Sequence, residues 1–178
     1  MVIDSVPLLD DLLARHGAAI GADLPGYRNH AYRVLNFCVA LSDNSPQHIA
    51  RIATAVAFHD IGIWTSHTFD YLPPSDTVAR DWLRLYGDAA WSEEISAMIQ
   101  LHHKFTRCPA AAGPLAEAFR QADWIDVTHG VISHGLPRRL LREVFAAFPD
   151  AGFHALLLRL SVKRMLTHPL NPLPMMRW

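Results

Sequence analysis

Along this 178-residue chain apolar residues recur at the three- and four-residue spacing of a helix face, and strict two-residue alternation between turn signals is hard to find. This pattern predicts an all-α fold, because helices with one apolar stripe each bury it by packing on one another. Val6, Leu9, Leu12 and Leu13 predict a first helix ending near Gly17, with GADLPG after it as a turn. A second is expected from Tyr27 to about Leu41, stopped by Ser42-Asp43-Asn44. Ser45 as N-cap and Pro46 at the first position open a third, through Ile49, Ile52 and Val56, running into His59-Asp60.

Gly62 stands at a C-cap-like position, and IWTSHTFDYLPPS reads as a loop because of Pro73-Pro74. A fourth helix is expected from Ser75 or Asp76 to Gly87, and a fifth from Ser92 to His102-His103. Gly113-Pro114 opens a sixth, which carries Asp123 and Asp126. Two more are expected, from Pro137 to Phe148 and from Asp150 to Leu166, before an irregular Pro-rich tail, HPLNPLPMMRW.

The length fits one domain, residues 1–178, able to bury a core without staples. Net charge is −1, so no global basic field draws in a nucleic-acid polymer or an anionic membrane. Cys38 and Cys108 stand far apart with no CxxC pair, which suits a reducing compartment. The start, MVIDSVPLLDDLLARHG, has acids where a signal peptide needs bases, and no apolar run approaches the ~20 residues of a membrane helix. A cytoplasmic location is the expectation.

A hydrolytic metal site needs neutral imidazoles and carboxylates on a rigid frame, with a position left for water or substrate. His30, the pair His59-Asp60 and Asp123 lie on three predicted helices that could converge on one ion, and mixed His and carboxylate ligands suit Mn, Fe, Co, Ni or Zn. Adjacent residues on a helix point about 100° apart, so His59 and Asp60 can share an ion only near a helix end.

This ordered set, His30 in YRNHAYRVL, His59-Asp60 in AVAFHDIGIW and Asp123 in RQADWIDV, resembles the HD superfamily of metal-dependent phosphohydrolases over about residues 27–130. The resemblance implies a compact multi-helix bundle, with C-terminal helices and tail over 137–178, and one divalent metal ion (Mn, Fe, Co, Ni, Zn or Mg). It also implies attack by a metal-bound water on a small phosphoester or nucleotide. A single ion is expected because Pro73-Pro74-Ser75-Asp76 stands where two-metal branches place another His. Ile61-Gly62-Ile63 replaces the carboxylate found near the HD pair in branches acting on deoxynucleotides and alarmones, which weakens the transfer of those substrates. MIQLHHKF is similar to an Ile-x-x-His-His stretch used by some branches.

His102, His103 and Lys104 are therefore candidates for phosphate or transition-state contacts, and His103 or Asp126 for the general base. Asp126 could instead orient a histidine, since Asp123 and Asp126 share a helix face. Arg33, three residues after His30, is a candidate for substrate phosphate or equally for an ion pair. His67, Asp70 and Tyr71 could form a lid or substrate wall, or plain loop surface. His16, His48, His129, His134, His154 and His168 receive no role. Other readings within this fold are a nitrile hydratase, a di-iron oxygenase and a non-catalytic metal- or nucleotide-binding protein.

Overall fold

The structure is a computed structural model that describes residues 2–176; Arg177 and Trp178, at the end of the expected irregular tail, lie outside the described residues. The described residues form α-helices joined by short 3-10 turns, with no strand among them. These helices are α1 (Pro7–Ile20), α2 (Leu24–Leu41), α3 (Pro46–Phe58), the single-turn α4 (Gly62–Thr65), α5 (Leu72–Tyr86), α6 (Ser92–Leu101), α7 (Pro114–Val127), α8 (Arg138–Ala147) and α9 (Phe153–Thr167).

The hub is α2. Tyr27, Ala31, Tyr32, Val34, Leu35, Phe37 and Cys38 point around most of its circumference and all are fully buried, the pattern of a helix enclosed on every side. Its most extensive partner is α7, with α3 next and α1, α8 and α9 completing the shell. One apolar core runs from Val6 on the N-terminal segment to Met175 in the tail. No described helix is long and apolar enough to cross a membrane.

Three local expectations change. The GADLPG turn is helical: Gly21–Asp23 forms a 3-10 turn that feeds directly into α2, and Pro25 sits in its first turn. Likewise α5 starts at Leu72 and takes Pro73 and Pro74 into its first turn, where backbone N–H groups have no intrahelical partner to lose. Gly62 is not a C-cap but a crossing point. A Cβ there would stand 2.6 Å from the Tyr71 carbonyl oxygen, and the Gly62 N–H donates to Ser75 Oγ at 2.9 Å. That crossing fixes the segment carrying Tyr71 against the end of α3. After α9 the tail folds back on the body, burying Met175.

Candidate metal centre

His30 projects from the middle of α2, and Asp123 and Asp126 from one face of α7, the helix packed most closely on it. His59 and Asp60 follow α3 in a tightened turn: His59 N–H still bonds Ala55, whereas Ile61 N–H reaches only three residues back, to Phe58. This tightening lets neighbouring side chains address one point. His102 and His103 occupy the equivalent turn after α6, and the Lys104 carbonyl accepts from Arg120 Nη1 and Trp124 Nε1 of α7. His30, His59, Asp60, His102 and Asp123 are all buried, and His103 is partly so.

The second nitrogen of each ring decides its chemistry. His59 Nδ1 lies 2.9 Å from the Val56 carbonyl and His102 Nδ1 lies 2.8 Å from that of Ile99; a carbonyl only accepts, so both rings carry the proton on Nδ1. His30 Nδ1 stands 2.6 Å from Asp126 Oδ2 and donates to that carboxylate. The Nε2 atoms of all three rings are thereby turned toward the centre, and two of them, on His30 and His59, face each other at 2.9 Å; against the effect of burial, Asp60 and Asp123 raise the His102 imidazole above its usual value. Asp60 Oδ2 lies 3.6 and 3.4 Å from these two nitrogens, and Asp123 Oδ1 lies 3.7 and 4.0 Å from them.

Ring nitrogens and carboxylate oxygens gathered this closely out of water are best held together by a cation among them. Ligand atoms bound to one ion at about 2.0–2.2 Å stand roughly 3–3.5 Å apart, close to the separations here. His30, His59 and Asp60 thus form a group able to hold a metal ion, and His59, His102 and Asp123, and Asp60, His102 and His103, form two more. The outer carboxylate oxygens turn the other way: Asp60 Oδ1 lies 3.5 Å from His102 Nε2, and Asp123 Oδ2 lies 3.4 Å from His103 Nδ1. Asp60 Oδ1, His102 Nε2 and Asp123 Oδ2 are buried with no hydrogen-bond partner, the state of atoms awaiting a cation.

Electrostatics follow from this crowding. Burial, reinforced by the His30 and His102 neighbours, pushes the His59 imidazole down to about 3, so it stays neutral. Burial alone would raise Asp60, but the adjacent His59 and His102 hold it well below the usual carboxylate range. At Asp123 burial wins, and its carboxyl is pushed up to about 6. Burial and the His102 ring beside it hold His103 well below the usual imidazole value.

The remaining candidates divide. Asp126, a candidate base, is fully buried and occupied by His30 Nδ1 and by Arg33, whose Nε and Nη2 both donate to it; these partners hold it deprotonated against the effect of burial. It orients His30 and has no path to a substrate proton. Arg33, a candidate for substrate phosphate, is corrected to a positioning group: it is wholly buried and its Nη1 donates to the Phe148 carbonyl at 3.0 Å. Lys104 is half-buried in the turn after α6 and does not line the cavity that reaches the centre.

Among the loop residues Tyr71 is buried, its hydroxyl 2.7 Å from His103 Nε2, while His67 and Asp70 are exposed. Sequence reasoning missed Phe153, whose ring stacks on His30 at 4.2 Å, and His154, whose Nε2 meets the Asp126 backbone carbonyl at 3.1 Å. The Asp150-to-His154 spacing of an i,i+4 pair was the signal for the second.

No protein-family model, curated protein or solved structure matches this chain. Fold and site together define an all-helical protein with a buried His/Asp cluster that can hold a metal ion.

Proposed function

We propose that this chain is a metal-dependent hydrolase that uses a water activated at His30, His59, Asp60 and Asp123 to cleave a small phosphoester. The observation that carries this reading is the convergence of three imidazole Nε2 atoms and two carboxylates on one buried centre, where Asp60 Oδ1, His102 Nε2 and Asp123 Oδ2 have no hydrogen-bond partner. A divalent ion bound there supplies Lewis acidity, polarising a phosphoryl oxygen and lowering the pKa of a water toward about 7.

The protein's own groups do the rest. Asp126 and the Val56 and Ile99 carbonyls hold three rings in the tautomer that offers Nε2. His103 stands at the edge of the centre, kept neutral by burial, with Tyr71 steadying Nε2 and Nδ1 turned toward Asp123. It is the group best placed to take the proton that the attacking water gives up. The ordered His, His-Asp and Asp set, with its resemblance to HD phosphohydrolases, supports the phosphoester assignment.

A second reading, hydration of a small neutral substrate such as a nitrile, is favoured by one observation: among the described residues no Lys or Arg lines the cavity at the centre, so none of them offers a dianion a cation there. Elemental analysis of purified wild type and Asp60→Ala, with assays for phosphate and amide release in Mn, Co, Ni, Zn and Mg, tests both. One ion per chain, lost in the variant, with metal-dependent phosphate release supports the first reading. Amide release without phosphate selects the second, and two ions would place the outer oxygens, His102 and His103 in a second set. A metal-free, inactive wild type refutes the proposal.

A further inference from the structure

A cavity of about 230 Å³ opens against the centre, with Tyr71, His103 and Asp123 among its lining residues. Its other walls are Phe69 from the loop before α5, Trp124 and Val127 from α7, Leu157 from α9, and Leu173 and Met175 from the tail. Among the described residues, beyond those of the centre, the polar side-chain atoms on this wall are the Ser161 hydroxyl and the Trp124 N–H, and the latter is already committed to the Lys104 carbonyl. Lys163 and Arg164 line a different cleft, of about 350 Å³, which shares Phe69 with this cavity but none of the proposed ligands.

Two properties of such a space select its occupant. A cavity of ~150 Å³ lined by apolar side chains holds benzene, so the apolar wall of this one has room to seat an aromatic ring. A nucleotide also carries base-edge donors and acceptors and ribose hydroxyls, which go unanswered against Val127, Leu157 and Met175. Among the described residues the side where Asp123 and His103 stand offers the polar end of an occupant most of the polar groups on this wall.

We infer that the substrate is a compact, largely apolar molecule, an aryl or short alkyl body bearing one small reactive head, and not a nucleotide. The inference rests on the hydrolase reading for the position of the head: the head meets the His/Asp cluster, and the body lies against α7, α9 and the folded-back tail. The tail residues Leu173 and Met175 then select the substrate's shape as well as closing the core.

The test titrates the purified, metal-bearing protein by calorimetry with acetohydroxamate, benzohydroxamate and adenosine 5′-monophosphate, and follows benzene binding by NMR of the methionine methyl groups. Benzohydroxamate should bind at least tenfold more tightly than acetohydroxamate, the nucleotide should bind more weakly than either, and benzene should shift Met175. Leu157→Trp and, independently, Ser161→Phe should remove the benzohydroxamate advantage and the benzene shift while leaving metal content and acetohydroxamate binding unchanged. Equal affinity for the two hydroxamates, or tightest binding of the nucleotide, overturns the inference. If benzene binds and neither hydroxamate does, the hydrolase reading fails while the apolar selectivity stands; if hydroxamates bind and benzene does not, the reverse holds.

Discussion

Asp123 and Asp126 lie one turn apart on α7, both buried, yet their replacement by asparagine should change the ion-free stability in opposite directions. Asp126 neutralises Arg33, a guanidinium with no exposure, and accepts from His30. Removing one partner of such a buried pair costs about 3–5 kcal/mol, because the other charge is left uncompensated. Asp123 is buried beside two further carboxylates, Asp60 and Asp126, and burial outweighs the neighbouring histidines, so its carboxyl sits at about 6 in place of 3.8. At pH 7 that displacement corresponds to roughly 3 kcal/mol of unfavourable ionisation in the folded state. Asp123→Asn should therefore stabilise the ion-free protein by up to about 3 kcal/mol at pH 7 and change little at pH 4. Urea unfolding in chelator, followed by tryptophan fluorescence at both pH values, measures this. If both variants lose similar stability at pH 7, the cluster is not strained in the absence of a cation and the argument for a bound ion is wrong. Added metal should reverse the order: wild type gains about 2.7 kcal/mol at a concentration one hundred times Kd, and Asp123→Asn gains little.

The same residue sets a pH window. Because its folded-state pKa lies above the unfolded one, proton uptake stabilises the ion-free fold at low pH, and this contribution is lost as pH rises through about 6. Metal and proton compete for the carboxylate, so the metal-induced rise in Tm should be full above pH 7 and shrink below 6; a constant rise from pH 4 to 8 counts against Asp123 as a ligand. Gly62→Ala should destabilise by about 1–3 kcal/mol, because its Cβ meets the Tyr71 carbonyl and overpacking there must displace the chain, as chemical denaturation would show. Arg33→Met should weaken metal binding about 10–100-fold through loss of the brace on Asp126, while Lys104→Met leaves it within twofold; equal losses in calorimetric titrations would contradict the positioning role.

The helical class was legible in the sequence because its signal repeats at every turn, and α2 shows the limit of that signal. The one-sided stripe Ala31, Val34, Leu35, Cys38 predicted the helix, but not that Tyr32, Arg33 and Phe37 on its other sides would be buried as well. The proposed ligands were legible as an ordered set of residue types. Their supports were not, because a brace such as Arg33 to Phe148 spans 115 residues and leaves no local pattern. Pro73-Pro74 misled because prolines that end one helix are equally at home in the first turn of the next. The apolar cavity was hidden because α7, α9 and the tail each contribute only a few side chains to it.

The bracing of α2 by the turn between α8 and α9 also bears on how the protein is made. Arg33 and Asn29 both donate to carbonyls of that turn, Phe153 lies on His30, and His154 meets the Asp126 backbone. A ribosome that has released the chain through Val127 has already delivered every proposed ligand, but not the segment that holds His30 in place. Nascent chains stalled beyond Thr167 should retain zinc through a desalting step that chains stalled near Val127 fail, and equal retention would show the brace to be dispensable. Synthesis of α8 and α9 would then act as the checkpoint after which an ion is kept.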